Sequence, residues 1–373
     1  MNRRDFLKAT SAVPLLLHAQ TENGFTPLFD GKSLNGWTVA DGPQTAFYVD
    51  DGAIAIQESA GFPTWLRSAK QYENFDCRGE FLIKGWSDAG IYFHVPEHGR
   101  PTWNGIQIHL FHQKDEQPKP ESMGAIFPIL APLKVNVKTG WNSFRIQMDW
   151  PRLQVWTNEE VIHDLDVEKV PELRYRFRRG YLGIESLSYP LKFRNLRVRE
   201  LASTDKHPLL YGAPEDFSAN WYVSEGKPNA QLLGEVIHLD GHGHIATKDK
   251  YRDFDLQLFV RHVKHHNSGI LFRTDGAGLS KRHYEIQLHD VEGAHYPTGS
   301  LYSFKRSQYP KIQPEVWFPM RVVVKDRGVL VRINGETVLE YDRLDNLDEG
   351  NIELQAHAPG MWTEFKQIRV KRL

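Results

Sequence analysis

The chain repeats one order of sequence landmarks, and this repeat constrains the fold more than any other feature. The segment Gln71–Asp76 (QYENFD) returns as Lys250–Asp255 (KYRDFD), and Gly90–Phe93 (GIYF) returns as Gly269–Phe272 (GILF). Solenoid repeats are typically about 20 to 50 residues long, so a much longer period indicates two whole domains. The sequence therefore predicts a tandem arrangement of homologous domains.

The predicted boundaries leave a short segment before the first domain. We expect an N-terminal domain over residues 24–201 and a C-terminal domain over residues 207–373. Residues 1–19 contain two adjacent arginines, a short apolar stretch and a closing alanine, which is typical of a twin-arginine export signal. The stretch is too short to span a bilayer as a mature helix. We expect a periplasmic or secreted protein, with a cytosolic amphipathic start as the alternative.

Charge and cysteine content exclude several classes of protein. Lys plus Arg number 46 and Asp plus Glu number 47, so the surface offers no net field for nucleic acid or an anionic membrane. The single Cys77 excludes an intrachain disulfide framework.

Short alternating apolar runs and frequent turn signals indicate an all-β protein made of sandwiches. Residues 318–334 contain two such runs around a tight turn, and they end at the Asn334-Gly335 pair. Asn-Gly is a strong signal for a tight turn, so another strand is expected at residues 337–341.

The alternation also sorts polar side chains onto one face. Around Ile286 and Leu288, and again around Ile352 and Leu354, the apolar residues alternate with Glu, Gln and His. Because side chains alternate across a strand, the polar set points away from the core. The candidates on this face are Arg273, Glu285, Gln287, His289, Gln355 and His357.

Six strings carry a resemblance to a known family. They are Phe29–Trp37, Tyr251–Phe254, Asn267–Ile270, Tyr284–Gln287, Thr298–Tyr302 and Leu354–His357. Their order and spacing resemble the 3-keto-disaccharide hydrolase domain family over essentially the whole mature chain, twice. The resemblance implies two tandem concanavalin A-like jelly-roll β-sandwich domains and activity on glycosides oxidised at C3.

Aligning the two copies by order predicts that only the second keeps a full site. Arg273, Glu285, Tyr302, Gln355 and His357 correspond in turn to His94, Gly105, Phe127, Glu185 and Leu187, while Gln287 and His289 match Gln107 and His109. Because a working constellation must be complete, we expect a degenerate N-terminal site and an active C-terminal one.

A 3-keto sugar calls for a base at C2–H and an electrophile at the C3 oxygen. We expect Glu285 or His357 as the base, and Arg273 or a bound divalent cation to stabilise the enolate. Asp290 is a further catalytic candidate, although its alternation places it on the core side. The expected substrate-binding residues are Asn267, Gln287, His289, Tyr302 and Gln355, and the expected partner is a carbohydrate.

The sequence is compatible with several alternatives. Arg273 and Glu285 could form a simple cross-strand salt bridge. A divalent cation could be bound by Glu285, His289 and His357, since mixed His and carboxylate ligation suits several metals. Two histidine clusters could instead bind a structural metal: His238, His242 and His244, or His262, His265 and His266. The whole protein could also be a non-catalytic carbohydrate-binding protein.

Tryptophans and tyrosines divide into two predicted groups. Trp65, Trp103, Tyr296 and Trp362 are candidates for stacking on sugar rings. Trp37, Trp141, Trp221 and Trp317 recur at matched positions in both copies and are predicted to lie in the cores.

Overall fold

The computed structural model describes residues 24–61, 64–275 and 283–373, and the predicted export signal at residues 1–19 lies outside them. The described chain is nearly all β-structure, as the alternating apolar runs predict. No helix within it is both long and apolar enough to span a bilayer.

Residues 26–200 form a two-sheet sandwich. One sheet has the order β11-β10-β9-β6-β13-β4-β3, with β1 also paired to β13, and the second has the order β2-β5-β12-β7-β8. The strands are β1 (Thr26–Pro27), β2 (Trp37–Ala40), β3 (Phe47–Asp50), β4 (Ala53–Ile56), β5 (Thr64–Tyr72), β6 (Phe75–Ile83), β7 (Asp88–Val95), β8 (Ile106–Phe111), β9 (Trp141–Asp149), β10 (Arg152–Thr157), β11 (Glu160–Asp166), β12 (Gly180–Ser186) and β13 (Leu191–Glu200). Helix α1 (Pro101–Asn104) joins β7 to β8.

Residues 209–372 repeat this architecture. The strands are β14 (Leu209–Tyr211), β15 (Trp221–Leu233), β16 (Val236–Thr247), β17 (Phe254–His262), β18 (Asn267–Thr274), β19 (Tyr284–His289), β20 (Phe318–Lys325), β21 (Gly328–Ile333), β22 (Glu336–Tyr341), β23 (Asn351–Ala356) and β24 (Thr363–Arg372), with helix α2 (Pro214–Asn220) before β15. Their order is β19-β18-β23-β16-β24-β17-β20-β21-β22, and β14 and β15 pair with β24 and β16. Strand β22 confirms the strand predicted after the Asn-Gly turn.

One long strand explains why the second domain has a single continuous sheet. The first half of β16 pairs with β24 and its second half pairs with β23. In the first domain two separate strands, β4 and β5, make the equivalent pairings with β13 and β12. Gly241 and Gly243, at φ of 86° and 140°, lie where β16 passes from one partner to the other. These positive φ values favour glycine and let the strand bend between the two layers.

Each domain buries its own hydrophobic core, and the predicted tryptophan positions are partly correct. Trp221 is buried in the second core and Trp37 packs against the first. Trp141 was predicted to be a core residue, but its ring is half-buried and lies 4.0 Å from the Arg194 guanidinium carbon. Trp317 lies between the domains, where its ring stacks at 5.9 Å on His98.

A chain of buried ionic groups links the two domains. His207 lies in the segment between them, and its ring contacts Asp205 Oδ1 at 2.6 Å and Asp255 Oδ2 at 3.1 Å. Asp255 in β17 also accepts a hydrogen bond from Arg321 Nε at 2.8 Å. Arg321 Nη1 then donates to the Arg176 carbonyl oxygen of the first domain at 3.3 Å. The domain linker is therefore part of a continuous polar contact.

The first domain binds the same linker through Glu73. Its carboxylate accepts hydrogen bonds from the backbone N–H groups of Thr204 and Asp205, both at 2.8 Å, and from Ser203 Oγ at 2.6 Å. Arg178 Nη1 lies 3.6 Å from Asp205 Oδ1, and its positive charge balances part of the negative charge of these carboxylates. The linker is thus held on both sides by buried charges.

The contacts of His207 with Asp205 and Asp255 should make the stability of the folded protein depend on pH. Burial acts to lower the pKa of His207, but the Asp205 and Asp255 carboxylates outweigh it and raise the pKa above its usual value. The contribution of this group is fully present below about pH 6.5 and is lost as pH rises through the raised pKa. We expect His207→Gln to lower the free energy of unfolding by about 1–3 kcal/mol at pH 6, and by less at pH 8.5.

Urea unfolding of the full chain at the two pH values measures this difference. His112→Gln is the matched control, because His112 is in the first domain away from the linker. Equal destabilisation of His207→Gln at both pH values would contradict the ionic role.

Candidate active site

Four neighbouring strands of the second domain bring the predicted polar residues onto one face. In β18, Gly269 pairs with Gln287 of β19, and Leu271 pairs with both Glu285 of β19 and Glu353 of β23. In β16, His244 pairs with Gln355 of β23. The intervening residues Ile270, Ile286, Leu288 and Leu354 are all buried in the core. The predicted sorting of faces is therefore confirmed for Glu285, Gln287 and Gln355.

Glu285 is the acidic group at the centre of this face. Its side chain lies across β18, because a Cβ added to Gly269 would lie 2.2 Å from Glu285 Oε1. The residue is 8% exposed, and burial raises the pKa of its carboxyl to about 7, with His244 acting in the opposite direction. No side-chain hydrogen bond to this carboxyl is present within residues 24–61, 64–275 and 283–373. Glu285 can therefore exchange a proton near neutral pH.

A histidine–carboxylate pair lies beside Glu285. Glu353 is fully buried, and its Oε2 is 3.0 Å from His244 Nδ1. Ser224 Oγ donates to the same oxygen at 3.0 Å, and Thr274 Oγ1 donates to Oε1. A carboxylate at Nδ1 orients the imidazole and leaves Nε2 to accept a proton. His244 and Glu353 were not among the predicted catalytic residues.

The predicted substrate-binding residues lie on the same strands or directly beside them. Gln287 Nε2 donates to Asn267 Oδ1 at 2.5 Å, so these two side chains are coupled. His289 pairs with Asn267 across the strands, and the exposed His357 directly follows β23. Tyr302 is 47% exposed, and its backbone N–H donates to the Glu285 carbonyl oxygen at 2.9 Å.

Arg273 does not lie on this face, and its predicted role needs correction. A bulge interrupts the pairing between Leu271 and Thr274, and Arg273 has a φ of 52°. The side chain is therefore turned into the protein, where it is 2% exposed. It donates to the carbonyl oxygens of residues 252, 346 and 326 and to the Asp253 carboxylate. The guanidinium is thus directed away from Glu285, and the alternative salt bridge between the two residues is not formed.

Asp290 lies in a separate group of histidines. Its Oδ1 is 3.6 Å from His266 Nδ1, and its Oδ2 accepts the His265 backbone N–H at 2.9 Å. Burial acts to raise the pKa of Asp290, but these neighbours outweigh it and lower the pKa to about 2. The core-side position expected from alternation is correct, and it separates Asp290 from Glu285.

The described residues contain one group with the spacing of metal ligands, made of His262, His266 and Asp290 within 4.8 Å. The two imidazole rings are stacked at 3.5 Å with 7° between their planes. Because nitrogen lone pairs lie in the ring planes, two parallel rings do not converge on one ion. Burial lowers the pKa of His262 to about 4, so this ring is neutral at pH 7. The set predicted to bind a cation, Glu285, His289 and His357, does not form such a group.

Backbone contacts show that the sequence alignment of the two copies is wrong by two residues at the strands β8 and β19. The Tyr302 N–H donates to the Glu285 oxygen, and the Phe127 N–H donates to the Gln107 oxygen in the same way. Gln107 also lies over Gly90 as Glu285 lies over Gly269. The counterpart of Glu285 is therefore Gln107, not Gly105. A shift of two preserves the face of every side chain, so alternation alone does not reveal it.

The equivalent face of the first domain, here called the N-terminal face, also carries a group that can transfer a proton. Tyr92 Oη donates to Glu185 Oε1 at 2.6 Å, and Gln107 Nε2 donates to Glu185 Oε2 at 2.6 Å. Burial raises the pKa of Glu185 to about 7. The phenol lies in β7 and the carboxylate in β12, at positions that the order-based matching aligned with Leu271 and Gln355, so that matching did not predict a carboxylate–phenol pair here. The register aligns Trp65 and Gly183 with His244 and Glu353, so the first domain has no counterpart of that pair at these positions. A different histidine–carboxylate contact is present there, since His109 Nε2 lies 2.9 Å from Asp88 Oδ1.

The comparison with known families agrees with this duplicated scaffold. The profile described as "3-keto-alpha-glucoside-1,2-lyase-like domain" matches residues 24–199 and 213–371. The chain belongs to this family. Membership in the 3-keto-alpha-glucoside-1,2-lyase-like family places it among carbohydrate-active proteins. The comparison with curated proteins found no match.

Solved structures similar to this family member include three from bacteria. A candidate glycosyl hydrolase from Parabacteroides distasonis ATCC 8503 is 20% identical, with 48% of this chain and 95% of that chain covered and a TM-score of 0.43. A β-glucanase from Bacillus licheniformis is 9% identical, covering 46% and 100%, with a TM-score of 0.36. The carbohydrate-binding module CBM66 from Bacillus subtilis is 14% identical, covering 41% and 95%, with a TM-score of 0.31.

We expect Arg273 to act on stability rather than on chemistry. Arg273→Ala removes four hydrogen bonds and leaves Asp253 without a buried partner, so the free energy of unfolding should fall by about 3 kcal/mol. Chemical denaturation measures this loss. Arg343→Ala, which removes an exposed guanidinium from the same domain, is the matched control. Unchanged stability of Arg273→Ala would contradict the structural role.

Proposed function

We propose that the protein is an exported enzyme that cleaves glycosidic bonds of 3-keto-glycosides on the C-terminal face, by elimination followed by hydration. The observation that carries this proposal is the juxtaposition of two proton-transfer groups. They are the Glu285 carboxyl, with its pKa of about 7, and the imidazole that Glu353 holds at Nδ1. The proposed substrate class rests on the family. Export is expected from the twin-arginine-type sequence of residues 1–19.

A ketone at C3 makes the C2 hydrogen acidic, because its removal gives an enolate. In the first step His244 Nε2 takes the C2 proton, and the electron pair of the C2–H bond forms the C2=C3 bond. In the second step the C3 carbonyl re-forms, the C1=C2 bond forms, and the C1–O bond breaks. The leaving oxygen takes its proton from the Glu285 carboxyl.

Hydration of the C1=C2 bond returns Glu285 and His244 to their starting protonation states. The Glu285 carboxylate takes a proton from water as the hydroxyl adds to C1, and the protonated His244 returns its proton to C2. Glu353 stabilises the imidazolium throughout, as a buried carboxylate does in histidine-based catalysis. The product is the 3-keto sugar, and each catalytic group ends in its starting state.

The remaining polar residues fit substrate binding. Gln355 lies directly opposite His244, so its amide can donate to the C3 oxygen where enolate charge develops. Gln287 and Asn267 form a coupled pair for sugar hydroxyls. His289, Tyr302 and His357 lie at the outer part of the face and are assigned to substrate contacts there. These roles replace the predicted contribution of Arg273 to enolate stabilisation.

Release of nitrophenol from a 4-nitrophenyl 3-keto-α-glucoside tests the assignment. Positioned proton-transfer groups typically contribute about 10²–10⁴-fold, so Glu285→Gln and His244→Gln should each lower kcat by at least about 10²-fold. Glu353→Gln should act through His244 and lower kcat less. Glu340→Gln, an exposed carboxyl-to-amide change in the same domain, is the matched control.

Undiminished turnover in both Glu285→Gln and His244→Gln would rule out this site. Absence of turnover on any 3-keto-glucoside, together with measurable sugar affinity, would instead support the alternative of a non-catalytic carbohydrate-binding protein.

The pH profile gives a second test of Glu285 as the acid. The carboxyl must be protonated to donate to the leaving oxygen, and its pKa is raised to about 7 by burial. We therefore expect kcat for aglycone release to fall tenfold per pH unit well above pH 7. In Glu285→Gln the residual rate should lack this decline. The same decline in wild type and variant would assign the titration to another group.

A further inference from the structure

We propose that the first domain and the cleft between the domains together form a second carbohydrate-binding site, which takes a glycoside of at least two units. Two neighbouring cavities carry this inference. One of about 210 Å³ lies on the N-terminal face, and one of about 400 Å³ lies between the domains. Asp41, Arg100 and Pro101 line both cavities, so the two spaces are adjacent. This site is distinct from the proposed catalytic face, and its existence does not depend on that proposal.

The first cavity combines aromatic walls with a few polar groups. Trp65 and Trp103 both line it. Trp65 is buried, and its ring is fixed by an edge contact to Tyr92 at 5.9 Å, whereas Trp103 is half-buried and has the more accessible indole. Trp65 Nε1 also donates to Asp41 Oδ2 at 3.1 Å. Indole surfaces pack against the apolar faces of sugar rings, and convergent polar groups fix the orientation of a ligand in such pockets.

Hydrogen bonds within the protein hold the polar residues of this cavity in place. Glu185 is held by Tyr92 and Gln107, and Thr102 Oγ1 donates to Gln107 Oε1 at 2.8 Å. Thr102 and Glu185 both line the cavity. A ligand therefore meets hydroxyl and carboxyl oxygens whose positions are set before binding, and this lowers the entropic cost of binding.

The second cavity takes its walls from both domains. Glu97 and His98 come from the first domain, and Lys311, Gln313 and Trp317 come from the second. Most of these side chains can donate or accept hydrogen bonds. A second sugar unit leaving the first cavity would pass Arg100 and meet this polar surface.

Close contacts fix the width of the cleft. Lys366 Nζ donates to Glu97 Oε2 at 2.9 Å, and His98 stacks on Trp317. Helix α1, which carries Thr102 and Trp103, is pressed against the second domain, because a Cβ added to Gly335 would lie 2.1 Å from the Trp103 carbonyl oxygen. The cavity wall on one domain is therefore positioned by the other domain.

Calorimetric titration with methyl α-glucoside and with maltose tests the site in the full chain. The Glu285→Gln background is used so that turnover on the proposed catalytic face does not contribute. We expect maltose to bind at least about fivefold more tightly than methyl α-glucoside. Trp103→Ala should weaken this binding of both sugars by about fivefold or more, and Gln313→Ala should weaken maltose alone.

Two further variants keep the test decisive. Trp86→Ala removes an indole that is 65% exposed elsewhere in the first domain, and it should leave both affinities unchanged. Thr102→Val removes one hydroxyl from the cavity while preserving the α1 contact with Gly335, so it should weaken both sugars even if Trp103→Ala disturbs the domain packing. Binding of either sugar that is unchanged in Trp103→Ala and Thr102→Val, or maltose no tighter than methyl α-glucoside, would overturn the proposal. No binding of either sugar would overturn it as well.

Discussion

The buried contact between His207 and the carboxylates of Asp205 and Asp255 is the constraint on which the arrangement of the two domains depends. Buried charges are costly unless every partner is in place, so the linker, β17 and the first domain can satisfy them only in one relative position. That position also presses α1 against Gly335 and sets the walls of the cleft. The relative position of the two domains therefore follows from the pairing of these buried charges.

The same scaffold presents two different faces. In the second domain the fully buried Glu353 is compensated by His244, Ser224 and Thr274, and this arrangement leaves an oriented imidazole beside Glu285. In the first domain the equivalent positions carry Trp65 and Gly183, so the oriented imidazole is replaced by an indole ring. Each face thus keeps one buried carboxyl with a raised pKa, Glu185 or Glu285, while the groups around it differ between the two copies.

Sequence patterns predicted local geometry well and long-range neighbours poorly. The alternation around Ile286 and Leu354 correctly placed Glu285, Gln287 and Gln355 away from the core. The same reasoning failed at Arg273, because a bulge with a positive φ turns the side chain inward. It also missed His244, which meets Glu353 only because β16 lies beside β23.

The sequence by itself determined the all-β class, the two tandem domains and the face of most strand residues, because these follow from repeats and from a period of two along the chain. Only the tertiary structure decided which strands are neighbours, that Gln107 is the counterpart of Glu285, and that both domains line one cleft. Strand order and domain contact arise from burial between residues far apart in sequence. A two-residue shift between copies preserves every face, so no local pattern records it.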